Sequence, residues 1–261
     1  GRITNVTYEN KVVNKMKKYR KEVDLIRKLR AIAERVKKDK SLGPAFRVVL
    51  TQLSRDIDSA LSFWNHRPAQ TQLLKPSSES LQIGGGSRYI EGFVNLDIFP
   101  PADIIWDSRY GLPFPSESFS FVFSEHFLEH IDFPVSVRRI LKETYRVLRP
   151  GGKIFIAVPN GGKAVQAYKS NKRFLKTLFA RTYGKRKLPG EVYSSIDVIN
   201  YLFRDQMENP GYTTHFWAYD KDSLTKLLAS SGFRNVREAT FDDRYCNPRR
   251  RFYTLYVEAK K

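Results

Sequence analysis

Apolar residues along the chain change their spacing twice. From residue 9 to 39 they recur at helical steps: Val12, Met16, Tyr19, Val23 and Ile26, with Leu29, Ala33 and Val36 continuing the stripe. Lys and Arg fill the other faces. Ser41-Leu42-Gly43-Pro44 stops this helix and starts a second, with Pro44 suited to a first helical turn. Ala45, Val49, Leu53, Ile57, Leu61 and Trp64 then share one face. The pattern predicts a two-helix arm whose stripes pack on each other and on the rest of the chain; a dimer contact or a membrane-surface role is the sharper alternative. The polar stretch "NHRPAQTQLLKPSSES" reads as a linker, so the arm and linker take residues 1–79.

From residue 80 short apolar runs alternate with helical ones. "SLQI", "FVNLDI", "ADIIWD", "FSFVFS" and "KIFIAVP" read as buried strands. "FPVSVRRILKETYRVL" reads as a helix, with Val137, Ile140, Leu141, Thr144, Tyr145 and Leu148 facing inward. In "LRPGG", Pro150 ends that helix and Gly151-Gly152 turns the chain into the fifth strand. Alternation of this kind predicts an α/β domain, 80–261, with a parallel sheet covered by helices. "LTKLLASSGF" is a helix closing on a glycine, and "FRNVREATF" with "RFYTLYVEAK" form an antiparallel terminal pair. Residues 161–215 form an insertion between the fifth strand and the last helix.

Composition sharpens this picture at four points. No apolar run approaches the ~20 residues needed to cross a bilayer. The N-terminal residues show no secretory pattern. Cys246 is the single cysteine, which excludes an intramolecular disulfide and a cysteine zinc cage. The expectation is a cytoplasmic, metal-independent protein. The formal charge of +19 is unevenly spread: residues 1–79 hold 18 Lys+Arg against 8 acids, 161–190 hold 9 against none, and 80–160 hold 8 against 9. The arm and the insertion therefore carry the basic character, which attracts phosphates, acidic polymers or anionic lipid headgroups unless it is simply a solvated face.

The stretch "SLQIGGGSRYIEGFVNLDI" carries the candidate chemistry. Gly84, Gly85 and Gly86 follow a strand, so they sit at the carboxyl edge of the sheet, where open α/β folds bind ligands. Asp97 ends the second strand at the same edge, where a carboxylate can accept both hydroxyls of a ribose. Asp107 ends the third strand, where it can meet an adenine amine. The three strand ends together make a nucleoside site. A nicotinamide dinucleotide fits poorly, because the last glycine of G-x-G-x-x-G is Tyr89 and Asp97 lies only 13 residues beyond Gly84.

"LQIGGGS…VNLDI", "IIWDSRYGLPFPSESFSFVFSEHFLEHI", "ILKETYRVLRPGGKIFIAVPN" and "YDKDSLTKLLASSGF", in this order over residues 80–259, resemble the class I S-adenosylmethionine-dependent methyltransferases, most closely a small-molecule O-methyltransferase-like branch. The resemblance implies a Rossmann-like, seven-stranded, mostly parallel sheet with helices on both faces and one antiparallel C-terminal strand, and S-adenosyl-L-methionine as methyl donor. By position it implies that Gly84, Gly85 and Gly86 flank the methionine part, that Asp97 and Ile98 border the ribose, that Asp107 and Ser108 lie near the adenine, and that Ser124, Glu125 and His126 line the cofactor below the acceptor. The sequence departs from the family at Gln82, where an acid is usual, and at Arg88, which stands at the third glycine. The ten residues between the first two strands also leave the usual first helix stunted.

Methyl transfer needs nucleophile, methyl and sulfur held in line, and a hydroxyl acceptor gains from a base. "SEHFLEH" offers His126 as first-choice base and His130 as second. If that segment is helical, Glu125 and Glu129 share one face and His126 and His130 another. A metal on Glu125, Glu129 and His130 is an alternative; none is expected. His215 in "TTHFWAYD", with Trp217 and Tyr219, supplies a third candidate base and a stacking wall, and His66 with Trp64 and Arg67 ends the arm. The basic insertion suits a small, sugar-like or anionic acceptor. RNA is the second choice, without an RRM or KH signature to support it. A non-catalytic domain with a membrane- or partner-binding arm is the third reading.

Overall fold

The structure, a computed structural model, describes residues 23–66, 73–183, 193–204 and 215–261. The chain divides into two compact units, residues 1–67 and 68–261. In the first, residues 23–36 form α1 and Pro44–His66 form α2. Arg30 donates to both carboxylate oxygens of Asp58, at 2.9 and 3.0 Å, and ties one helix to the other. Ala33, Leu50 and Ile57 are buried. Leu29 and Val49, expected on the buried stripes, are 44% and 59% exposed. Val12, Met16 and Tyr19, and the side chains of Ala45, Trp64 and His66, lie outside the described residues, as does Arg67.

The second unit is built on one sheet. Its strands are β1 (Ser80–Ile83), β2 (Val94–Asp97), β3 (Ile104–Ile105), β4 (Phe119–Glu125), β5 (Leu148–Pro159), β6 (Arg234–Glu238) and β7 (Thr254–Lys260). They lie in the order β3-β2-β1-β4-β5-β7-β6. Neighbours from β3 to β5 are parallel, and β7 runs antiparallel to both β5 and β6. This is the expected mostly parallel sheet with one antiparallel C-terminal strand. Leu81, Ile83, Val94, Leu96, Val122 and Phe123 are buried, as continuous apolar runs require when both faces of a sheet are covered.

The crossover from β1 to β2 contains no helix at all. Residues 84–93 form only turns and bends. The buried Asn95 side chain organises them: its Oδ1 accepts from Ile90 N at 2.9 Å, and its Nδ2 donates to the carbonyls of Ile90 and Phe93. One amide thus supplies the polar satisfaction a helix would have supplied.

α3 (Val135–Val147) buries Val137, Ile140, Leu141, Thr144 and Val147. Tyr145 is only half-buried and meets Phe233 edge-on, and Leu148 already belongs to β5. The expected turn at "LRPGG" is instead an irregularity inside the strand. Leu148 pairs with Phe119, and regular pairing resumes at Lys153 and Phe121. Gly151 there has φ +77°, which glycine adopts without strain.

The insertion makes α4 (Gly161–Ser170), α5 (Lys172–Tyr183) and α6 (Ser195–Arg204). Ala164, Ala167, Leu175, Leu178, Val198 and Leu202 form its own small core, with Tyr253 from the segment before β7. α7 (Lys221–Ser230) opens on a capping box between Asp220 and Ser223. No helix among the described residues is long and apolar enough to cross a membrane.

Candidate active site

The glycine loop begins where β1 ends. Gly84 has φ +72°, and a Cβ there would lie 2.2 Å from the Phe127 ring. A Cβ at Gly85 would lie 2.8 Å from the Arg88 carbonyl and 2.9 Å from Gln82 Nε2. Gly86, at φ +58°, would meet nothing within 4 Å. The first two glycines thus admit neighbouring protein groups, and Gly86 faces open space.

Asp97 closes the loop from β2. Its Oδ2 accepts from Gly86 N at 2.8 Å, and its Oδ1 accepts from Phe99 N at 3.1 Å. An ionised carboxylate has about four acceptor sites, so two remain for hydroxyl donors. Ile98 follows, half-buried. Asp107 is 2% exposed and turned onto its own 3-10 turn, where its Oδ1 accepts from Arg109 N and its Oδ2 from the Arg109 guanidinium at 2.7 Å. Ser108 is buried beside it.

Two buried atoms near the loop have no hydrogen-bond partner in the protein: Gln82 Oε1 and Ser124 Oγ. Their strands are adjacent, since Gln82 on β1 sits beside Phe123 on β4. Each unsatisfied buried group costs about 1–3 kcal/mol. An acceptor at Gln82 suits an ammonium even without the usual charge. With the spare capacity of Asp97 and the open space at Gly86, these residues fit an adenosyl amino-acid ligand.

Glu125 is held by other groups of the protein. It is 5% exposed, and its carboxylate accepts from Arg88 at 3.2 Å and from Asn247 N at 3.0 Å. Arg88, the departure from the glycine pattern, also donates to the Cys246 carbonyl. It therefore latches the loop to the end of β4 and to the segment before β7. Sequence reasoning missed this pair, because 37 residues separate its members.

The segment after β4 is not an α-helix. His126 adopts φ +53°, a conformation uncommon for a non-glycine residue, and its N–H donates to the Ala157 carbonyl at 2.7 Å. Leu128–His130 then makes a single 3-10 turn. Glu125 and Glu129 consequently diverge, and the alternative cluster of Glu125, Glu129 and His130 does not assemble. Glu129, 1% exposed, lies 3.4 Å from His126 Nδ1 and 4.0 Å from His130 Nε2.

His215 joins them from a distant part of the chain. Phe216 N and Trp217 N both donate to the Glu129 carbonyl, at 2.7 and 3.3 Å, and Trp217 stacks on Phe133 with ring centroids 4.3 Å apart. This backbone docking sets the His215 ring 4.8 Å from that of His130. Glu129, His215, Trp217, Tyr219 and Tyr253 line a small cleft, with Pro159 and Gly161 at the end of β5. Burial, and then the charge of Glu129, push the hydroxyls of Tyr219 and Tyr253 up, so both stay protonated. Tyr253 Oη is buried without a hydrogen-bond partner.

His126, the first-choice base, is directed elsewhere. Its Nε2 is 2.9 Å from Thr254 Oγ1, and it is not among the cleft-lining residues. Burial, followed by the charge of Arg250, holds it well below its usual pKa, so the ring is neutral. Of the three candidate histidines, His215 alone lines the cleft, with His130 against it.

Residues 101–156 match the family model described as a methyltransferase domain. No curated protein matches the chain. Among solved structures, an S-adenosylmethionine-dependent methyltransferase from Archaeoglobus fulgidus is 17% identical over 79% of this chain and 94% of its own, with a TM-score of 0.41. One from Methanosarcina mazei is 20% identical over 72% and 94%, with a TM-score of 0.44. The phosphoethanolamine N-methyltransferase 2 of Haemonchus contortus is 12% identical over 78% and 52%, with a TM-score of 0.40. The methyltransferase-domain match runs from β3 into β5, and the seven-stranded sheet with one antiparallel C-terminal strand is the one that the sequence resemblance implies.

Proposed function

We propose that this methyltransferase methylates a hydroxyl of a small, anionic, sugar-like acceptor seated in the cleft beside Glu129, His215 and Tyr253. The observation that carries this reading is the cleft itself. It opens at the carboxyl ends of the strands and has a buried, unpartnered tyrosine hydroxyl in its wall. The N-terminus of α4 borders it at Gly161, with Lys163 two residues on, and both favour negative charge.

In this reading Gly86, Asp97, Gln82 and Ser124 hold S-adenosyl-L-methionine, which supplies an electrophilic methyl group on a sulfonium. Asp97 accepts from ribose hydroxyls, and Gln82 Oε1 from the amino-acid ammonium. Asp107 and Ser108 border the adenine through their backbone, since the Asp107 side chain is held by Arg109. Tyr253 donates its hydroxyl to the acceptor and orients it. His215 takes the acceptor proton: its Nδ1 bonds the Leu202 carbonyl at 3.0 Å and must therefore carry the hydrogen, which leaves the lone pair on Nε2. Trp217 and Tyr219 exclude water from one side.

Calorimetry with S-adenosylmethionine tests the donor half, and release of S-adenosylhomocysteine with a panel of hydroxylated sugar phosphates and acids tests the acceptor half. Binding without turnover on any hydroxyl acceptor overturns the O-methylation reading, and no heat at millimolar donor overturns the donor assignment. RNA remains the second reading, because residues 161–183, through α4 and α5, carry Lys and Arg without an acidic residue. It predicts RNA binding that weakens steeply with salt.

A further inference from the structure

We propose that Glu129, His130 and His215 form a binding site for one divalent transition-metal ion, of the zinc, manganese or ferrous class, at the edge of the acceptor cleft. Each of the three offers one ligand atom, and these atoms lie within 4.8 Å of one another. Ligand atoms around a tetrahedral ion at ~2.1 Å stand about 3.4 Å apart. Closing this set onto an ion therefore needs each side chain to move by less than about 1 Å. Two imidazoles and one carboxylate suit borderline transition metals better than magnesium or calcium, which prefer all-oxygen shells.

Three further observations point to a cation here. First, the His215 Nδ1–H donates to the Leu202 carbonyl. That is the outer bond by which metal-binding histidines fix their tautomer and present the other nitrogen. Second, Glu129 is 1% exposed and its carboxylate lies 4.0 Å from His130 Nε2, so an acid and an imidazole already face each other in a site closed to solvent. Third, Glu129 and His215 line the cleft, so a three-ligand ion would keep an open position toward it, as catalytic rather than structural sites do. An ion held there would polarise the acceptor hydroxyl directly, in place of proton transfer to His215. The role in methyl transfer rests on the proposed function; the site itself does not.

Calorimetric titration of the metal-stripped full chain with Zn2+ tests the site without any turnover. The expected result is one Zn2+ per chain. Loss of a ligand outweighs the 10–100-fold typical of an outer-shell change, so His130→Ala and His215→Ala each weaken binding by more than about 100-fold. Glu129→Gln weakens it similarly, and His66→Ala leaves it unchanged. Far-UV circular dichroism and S-adenosylmethionine binding establish that each variant is folded. Failure of all variants to bind S-adenosylmethionine while Zn2+ binding follows the expected pattern sinks the donor reading alone. Absence of Zn2+ binding, binding that survives in His130→Ala and His215→Ala, or binding that depends on His66 overturns the metal site.

Discussion

Gly84 and Gly86 provide an internally controlled test of how the loop is packed. Both have positive φ, +72° and +58°, so alanine at either site carries about 1–2 kcal/mol of left-handed backbone strain. About 0.4–1 kcal/mol of that is offset by the reduced freedom of the unfolded chain. Gly86→Ala should therefore cost about 1 kcal/mol or less, since nothing lies within 4 Å of its new Cβ. At Gly84 the new Cβ would sit 2.2, 2.3 and 2.7 Å from three carbons of Phe127. Carbon atoms rest at ~3.5–4.0 Å, so the ring must retreat by more than about 1 Å. Forcing atoms into a packed site typically costs ~1–3 kcal/mol, so Gly84→Ala should lose about 2–4 kcal/mol in all. Urea denaturation followed by tryptophan fluorescence measures each variant, and a cycle with Phe127→Ala isolates the contact. In the Phe127→Ala background Gly84→Ala should cost no more than Gly86→Ala does alone. Equal costs for the two glycine variants, or a Gly84→Ala cost unchanged when the ring is gone, would refute the packing argument.

Asp97→Ala removes the acceptor for Gly86 N and Phe99 N, and with it the ribose contact. At ~1.5–3 kcal/mol for hydrogen bonds to a charged group, the Kd for S-adenosylmethionine should rise roughly 10–100-fold by calorimetry; an unchanged Kd would remove Asp97 from the donor site. Glu143 accepts from Arg146 at both oxygens and from Leu112 N, and the Arg146 contact holds its pKa below the usual carboxylate value. Its contribution is present above the ordinary carboxylate range and is lost as pH falls through the depressed folded pKa. Glu143→Gln should thus cost about 1 kcal/mol at neutral pH and progressively less toward pH ~3, read from denaturation midpoints; a pH-independent difference would refute the linkage. Burial pushes the Cys246 thiol up to about 11. It should not react with Ellman's reagent at pH 8 until the protein is unfolded, and rapid native labelling would show that the segment before β7 opens.

The sheet was legible because its signal is local. Unbroken apolar runs such as "FSFVFS" have no stable place except between two covered faces, and the glycines after "SLQI" mark a strand end without knowledge of anything distant. α3 was legible for the same reason, although Leu148 belongs to β5 because an apolar residue serves equally well at a helix end or a strand start. Asp97 was expected at a strand end, and it does end β2. The engagement of Gly84 by Phe127, of Glu125 by Arg88 and of Asp107 by Arg109 was not visible, since residue type alone does not reveal which of several cations or rings reaches a given group. His126 was ranked first on closeness to the strand end, and its positive φ then turned it to Thr254.

The cleft shows why the acceptor side is harder to read than the donor side. Three of the residues proposed for the donor, Gln82, Asp97 and Ser124, sit on β1, β2 and β4, and the sheet order sets β1 between the other two. The cleft draws on Glu129 after β4, Gly161 at the start of α4, Leu202 on α6, His215 before α7 and Tyr253 before β7. Nothing periodic connects these positions. They meet because two backbone N–H groups, of Phe216 and Trp217, find one carbonyl, that of Glu129, and because the Asn160–Tyr219 bridge holds the same segment to the end of β5. Backbone bonds of this kind do not depend on side-chain identity. The insertion can therefore change its side chains, and with them the acceptor, while the segment stays docked on the sheet. The residues that choose the acceptor are then expected at His215, Trp217 and Tyr253 rather than among the glycines and carboxylates at the strand ends.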